Sequence, residues 1–251
     1  MLAEHKHNID INDYGEVYSF KSNEPLLLDN PNAVWLVKSG ALALFAISVE
    51  HGTPKGRRRY LSTVKVGEAM FSATCSLDGQ HQILAVSLEE SELVRISKSE
   101  FCDLIKRDIN IINRNINQNT NINLYRNKQI PAIQLIERWV NILGTSVSTI
   151  TSSKLPTPSQ APGCAVFGDS EVFQPPYEKV IWVKVLQGQA NLLGLDNLEI
   201  TPYTGRIPLE KNLWLQARES IVEIDSACIT ENEGGLYLDS QFLLNGLHEL
   251  Q

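Results

Sequence analysis

Apolar residues occur in short runs over the first hundred positions. Val34-Trp-Leu-Val37 is a compact run that ends at Lys38-Ser-Gly40, and Ala41 to Val49 follows, rich in strand formers. His51-Gly-Thr-Pro-Lys-Gly56 is dense in turn residues, and Arg59 to Val66 alternates apolar with polar. Gly67, the Asp78-Gly79 pair, Ile83 to Leu88 and Glu92 to Ile96 continue the pattern. Short strands separated by turns predict a sandwich or barrel over residues 14–101 rather than alternating strands and helices.

The period changes near Ser99. Ile105, Ile109, Ile112 and Ile116 fall on one face of a helix, and Ile133, Ile136, Val140 and Leu143 repeat that spacing after Pro131. Between them lies an Asn-rich stretch, 110–127, whose residues are weak helix formers and need packing to hold them. Residues 145–163 carry Ser or Thr at nine positions and Pro at 156, 158 and 162, a composition that favours extended, solvated chain.

Past this stretch the first pattern returns. Val180-Ile-Trp-Val-Lys-Val185 resembles the Val34–Lys38 run; Trp35 precedes Gly40 by five residues and Trp182 precedes Gly188 by six. Glu92-Leu-Val-Arg-Ile96 resembles Ser220-Ile-Val-Glu-Ile224, and residues 236–250 close the second copy with a helical pattern. Two copies of one β unit are the economical reading. The expected divisions are 1–107 for the first barrel, 108–144 for a helical connector, 145–163 for a linker and 164–251 for a second, degenerate barrel with its helix.

Composition narrows the function. The chain has 22 Lys+Arg against 29 Asp+Glu, a net charge of −7, which argues against a nucleic-acid binder relying on broad phosphate contact. Apolar residues make up 43%, enough for buried cores, and no uninterrupted apolar stretch is long enough to span a membrane. Cys75, Cys102, Cys164 and Cys228 form no CxxC pair and read as buried reduced thiols. The N-terminus lacks the apolar core of a secretory signal, so the expected compartment is the cytoplasm.

The common catalytic motifs are absent: no P-loop, no dinucleotide fingerprint and no nucleophile elbow. His5-Lys-His7 stands at an unpatterned terminus without a third ligand, so no metal and no cofactor are expected. Lys55-Gly-Arg-Arg-Arg59 is the one basic cluster. On a hairpin, Arg57, Arg58 and Arg59 would either be solvated or dock a phosphate or a carboxylate-rich partner.

Residues 14–107 resemble a cyclic-nucleotide-binding β-barrel. The resemblance rests on Val34-Trp-Leu-Val-Lys-Ser-Gly40, on Val66-Gly-Glu-Ala-Met-Phe71, and on Ala85-Val-Ser-Leu with Glu92 to Phe101. It implies a mainly β fold with flanking helices, built as two tandem double-stranded β-helix (jelly-roll) barrels. It also implies a remnant ligand pocket at Gly67, Glu68, Phe71, Ser72 and Ala73. In that family a Gly-Glu pair and a following Arg hold the ribose and cyclic phosphate. Here Ser72-Ala73 replaces the Gly-Glu after Phe71, and no Arg occurs between Arg59 and Arg95. Lys211-Asn-Leu-Trp214 is expected at the position of Val66–Ala69 in the second copy. Cyclic-nucleotide binding is therefore expected to be lost.

The tandem layout further resembles the N-terminal cytoplasmic region of NHLM (nitrile-hydratase-leader-type) bacteriocin-system ABC transporters. That resemblance implies a non-catalytic regulatory or recognition region. Its implied partners are the exporter's membrane and ATPase domains, a peptide leader and a second copy of the chain. No nucleic-acid partner and no membrane insertion by this chain are implied. A small-ligand sensor with an altered pocket and a cupin-like enzyme are the competing classes; the missing metal ligands speak against the second.

Overall fold

The computed structural model describes residues 15–50, 53–72, 81–117, 131–148, 163–175, 180–218 and 221–228. The chain divides into two compact units, Met1–Leu135 and Ile136–Gln251. Among the described residues, eight strands build the first: β1 (Glu16–Phe20), β2 (Pro25–Leu27), β3 (Ala33–Ser39), β4 (Ala41–Glu50), β5 (Thr53–Lys65), β6 (Ala69–Phe71), β7 (His81–Ser87) and β8 (Ser91–Ser97). They form two antiparallel sheets in the orders β1-β8-β3-β6 and β2-β7-β4-β5. The chain crosses between the sheets at almost every step, which is jelly-roll topology.

The second unit repeats that order with eight more strands among the described residues: β9 (Gly163–Phe167), β10 (Val172–Phe173), β11 (Ile181–Gln187), β12 (Ala190–Leu192), β13 (Glu199–Ile200), β14 (Ile207–Leu209), β15 (Leu215–Ala217) and β16 (Val222–Ala227). Its sheets run β9-β16-β11-β14 and β10-β15-β12-β13, strand for strand the arrangement of the first unit. The expected pair of jelly rolls is therefore present, and the fold is mainly β with flanking helices.

Among the described residues, two helices follow the first barrel, α1 (Lys98–Asn117) and α2 (Ala132–Ser148). Ser97 and Glu100 form a capping box at the start of α1. The Ser97 N–H donates to Glu100 Oε2 at 3.0 Å and the Glu100 N–H donates to Ser97 Oγ at 3.2 Å. The Ser97 hydroxyl, which donates to Glu100 Oε2 at 2.6 Å, and the Ser97 N–H together hold the Glu100 carboxyl below its ordinary range. α1 packs on β3 and β8, and Phe101 meets Phe71 edge-on at 5.3 Å. With a helix on one face and the barrel interior on the other, Ala33 to Val37 are all buried. That burial explains why β3 reads as an unbroken apolar run rather than an alternating one. The helix expected near residue 100 is thus present as α1 and α2. The helical pattern at 236–250 and residues 118–130 lie outside the described residues.

α2 lacks a capping side chain of its own, because Pro131 precedes it. Asp108 of α1 supplies the cap: its Oδ2 accepts the Ala132 N–H at 2.6 Å. The division between the units falls within α2, and its last residues, to Ser148, occupy part of the stretch whose composition suggested a linker.

The two units share a turn after their third strands. Gly40 and Gly188 have φ of +81° and +85°. A Cβ on Gly40 would lie 2.2 Å from Ser91 Oγ, and one on Gly188 would lie 2.3 Å from the Ile221 carbonyl oxygen. Each position needs both the left-handed backbone and the missing side chain. A bulge precedes each glycine, between Val37 and Ser39 and between Val185 and Gln187.

That shared frame alters the meaning of the repeated tryptophan. Val37 and Val185 each stand three residues before their glycine and pair with Leu93 and Ile224. Trp35 is two residues before Val37, whereas Trp182 is three before Val185. One residue reverses the face of a strand. Trp35 lies edge-on to Tyr18 and Phe20, with ring centroids 5.3 and 6.3 Å apart. Trp182 lies on the opposite face of its sheet and is fully buried. The topology repeats, but the tryptophans that suggested the repeat are not equivalent.

Candidate functional site

The remnant-pocket residues sit where β5 turns into β6. Gly67 has a φ of +81°, and its N–H donates to the Val37 carbonyl at 2.9 Å. The Glu68 N–H donates to the Lys65 carbonyl at 3.0 Å, and the Glu68 carbonyl accepts the Val37 N–H at 2.9 Å. The Glu68 carboxylate accepts the Lys65 N–H at 2.8 Å. Both backbone donors at Gly67 and Glu68 are thus engaged within the barrel, and the carboxylate closes its own turn. The same closed turn recurs at Lys21–Glu24 and at Gly168–Glu171. Glu68 therefore has the role of a turn-closing residue.

Phe71 is buried against Phe101. Ser72 is 7% exposed and its hydroxyl has no hydrogen-bond partner among the described residues. Ala73 lies outside the described residues. The structure thus brings Gly67 and Glu68 into one turn and seats Phe71 under α1, a packing role rather than an open ligand wall. No charged side chain of residues 66–72 offsets an anion, since the Glu68 carboxylate is itself the charge there.

The second unit places a different segment at this position. Residues 201–206 lead into β14 as residues 66–68 lead into β6, because β14 and β6 occupy the same place in their sheets. Lys211 to Trp214 lie after β14 and correspond to the stretch after β6. The expectation that they replace Val66–Ala69 is corrected accordingly; a match of residue types without strand order misplaced them by one connection. The 201–206 turn is held by cations instead of a glutamate. Lys184 Nζ donates to the Pro202 and Thr204 carbonyls, both at 2.9 Å. Arg206 pairs with Asp225 and donates to the Asp225 carbonyl at 3.2 Å. The Arg206 side chain is 12% exposed, so this pair is largely withdrawn from water. Nothing in the sequence announced it, since neither burial nor the Arg206–Asp225 separation of nineteen residues is visible along the chain.

The arginine cluster lies inside β5 rather than in the turn before it. Pro54 and Gly56 belong to the strand, which is the outermost strand of its sheet. An edge strand tolerates a missing N–H and a glycine where a central strand does not. The strand passes a bulge opposite Ile47, so that Ala46 pairs with Arg59 and Ser48 with Lys55. Arg57 and Arg58 fall in that bulge. All three arginines are exposed, and Lys55 pairs with Glu50 at 2.5 Å.

Among the described residues, two buried carboxyls, Asp108 and Glu210, and a half-buried one, Glu137, escaped the sequence reading. Asp108 is pushed up by burial, partly offset by the Ala132 N–H. Burial also raises Glu210, against which Gly144 of α2 packs so closely that a Cβ there would overlap its carboxylate. Burial pushes Glu137 of α2 up to about 7. Among the described residues no group of His, Cys, Asp and Glu is arranged to hold a metal ion, and no helix is long and apolar enough to cross a membrane. Cys102 and Cys228 are buried thiols, while Cys164 is exposed, against the expectation that all the cysteines are buried; it lies on β9, the edge strand of its sheet.

No family profile matches the chain, and no curated protein matches it in sequence. Several solved structures are similar in part. A CooA variant from Carboxydothermus hydrogenoformans is 11% identical, with a TM-score of 0.36 over 57% of this chain and 78% of that one. The catabolite activator protein of Thermus thermophilus is 25% identical, with a TM-score of 0.30 over 41% of this chain and 47% of that one. Unbound oxidised CprK is 14% identical, with a TM-score of 0.32 over 40% of this chain and 47% of that one. The chain thus spans about half the length of the last two.

Proposed function

We propose that the chain is a non-catalytic recognition or regulatory module of two jelly rolls whose first barrel no longer binds cyclic nucleotides. The observation that carries this reading is the closed turn at Gly67–Glu68. Its N–H groups bond to the Val37 and Lys65 carbonyls, and its carboxylate accepts the Lys65 N–H of the same turn. A cyclic phosphate there would meet a carboxylate with no guanidinium to offset it. Each missing charge-assisted hydrogen bond removes roughly 1.5–3 kcal/mol, so losing about two weakens affinity by about two to four decades.

Calorimetric titration of cyclic AMP and cyclic GMP into the whole chain tests this. The expected dissociation constant is weaker than about 0.1 mM, from the same estimate. Binding tighter than about 10 μM, with one site per chain and loss in Glu68→Ala, would refute the reading.

In finer terms, we read the module as the cytoplasmic region ahead of the membrane and ATPase domains of a peptide-exporting ABC transporter. The order of the Val34–Gly40 and Val66–Phe71 motifs and the duplicated barrel support this. Such a region would receive a leader peptide, gate transport, or join two copies. Failure of the chain to associate with those domains when they are co-expressed would remove the transporter reading. A second reading, a small-ligand sensor with an altered pocket, is favoured by the unpartnered Ser72 hydroxyl. A thermal-shift screen of cyclic nucleotides against leader peptides separates the two.

A further inference from the structure

β5 is the outermost strand of its sheet, and among the described residues no strand pairs with its far edge. Its first eight residues, Thr53 to Tyr60, are all exposed. Four of the five residues 55–59 are cationic in a chain whose net charge is −7. Lys55 has Glu50 as a partner; Arg57, Arg58 and Arg59 have no carboxylate partner among the described residues. Lys55 and Arg59 pair with Ser48 and Ala46, which lie two residues apart on β4, so they share one face. His81 pairs with Ser48 from the other side and joins that face. Tyr60, 57% exposed, stands next to the cluster with its ring edge-on to Phe45 at 5.9 Å.

We propose that the free edge of β5 docks an acidic, extended polypeptide segment. An unpaired strand edge presents N–H and C=O groups that only another polypeptide strand completes. The guanidinium groups beside it fit carboxylates through paired hydrogen bonds. Nucleic acid would satisfy the arginines but leave the edge unpaired, and the acidic chain opposes broad phosphate contact. Bulges at Leu61 and opposite Ile47 confine backbone pairing to short stretches. The carboxylate–guanidinium bonds therefore carry most of the recognition, with Tyr60 as the apolar contact. The proposal rests on the reading of the chain as a recognition module. The cyclic-nucleotide titration that tests that reading leaves β5 untouched, so the two can fail separately.

Fluorescence anisotropy of the whole chain tests the docking. The probe is a short synthetic peptide alternating glutamate with threonine. Saturable binding at low salt, weakened by added salt, is expected. The Arg57→Ala, Arg58→Ala, Arg59→Ala triple variant is expected to bind about tenfold more weakly or worse. Because all three sites are exposed, its melting temperature is expected to match the wild type. A charge-swapped triple, with Glu at the same positions, is expected to refuse the acidic peptide and to take one in which lysine replaces glutamate. No saturable binding by the wild type, or equal binding by the alanine triple, overturns the proposal. So does tighter binding of a single-stranded DNA oligomer or of phosphatidylglycerol vesicles than of the acidic peptide. If the arginines only guard the edge, the alanine triple self-associates with unchanged peptide affinity, and that outcome also overturns it.

Discussion

Gly40 and Gly188 combine a left-handed backbone with a neighbour that leaves no room for a methyl group. A Cβ on Gly188 would meet the Ile221 backbone carbonyl at 2.3 Å, whereas one on Gly40 would meet the rotatable Ser91 hydroxyl at 2.2 Å first and the Glu90 backbone carbonyl at 2.8 Å. Gly188→Ala is expected to lower stability by about 2–3 kcal/mol, from left-handed strain plus steric displacement. Urea denaturation with an unchanged slope would show it. Glu68 gives the contrasting case. Its carboxylate closes an exposed turn through one backbone hydrogen bond, so Glu68→Ala should lose only about 1 kcal/mol. It should leave any residual nucleotide affinity where it was. In the sequence Gly40 and Gly188 follow matching apolar runs, whereas the family resemblance placed Glu68 in a ligand pocket rather than in a turn. Only the partner of the carboxylate separates the two roles, and that partner is the backbone N–H of Lys65.

The helices depend on carboxylates in two ways. At α1 the capping box is local and legible, since Ser97 and Glu100 stand three residues apart. At α2 the cap comes from Asp108, twenty-four residues earlier, and no spacing rule reveals it. Asp108→Ala should cost about 1–2 kcal/mol while Asp108→Asn recovers most of it, measured by chemical denaturation. Glu137 sets a pH dependence. Its carboxyl lies at about 7 in the folded chain against an ordinary 4.5, so the folded state binds its proton more tightly than the unfolded state. Stability is then highest below about 4.5 and declines as pH rises through about 7, by up to roughly 3 kcal/mol from this group. Glu137→Gln is expected to flatten that decline. A wild-type denaturation midpoint independent of pH over this range would contradict the assignment. β5 starts at Thr53, six residues before the Arg59–Val66 run from which the sequence predicts it. Pro54 and Gly56 are turn formers in most settings, and their tolerance here comes from the edge position, a property of the sheet and not of the segment.

At the scale of the whole molecule, each unit holds both of its sheets, and among the described residues no strand of one pairs into a sheet of the other. Hydrogen exchange on Gly188→Ala should therefore show lost protection in β11 and β16, with β3 and β8 unchanged. Loss in both sets would mean that the units unfold as one. The mainly β character and the duplication were readable because strand length, turn spacing and apolar runs are local properties. The pairing order was not, because jelly-roll neighbours such as β1 and β8 lie far apart in the chain and resemblance alone suggested the topology. The one-residue offset between Trp35 and Trp182 has a practical consequence for anyone recombining the two barrels. A hybrid that replaces β11 with β3, joined so that the tryptophans coincide, would turn every later side chain of the grafted strand toward the wrong side of its sheet. Joined so that the glycines coincide, the same graft keeps both bulges in step and presents Val37 where Val185 stood. The glycine, which contributes no side chain at all, is the landmark by which the two halves of this protein can be exchanged.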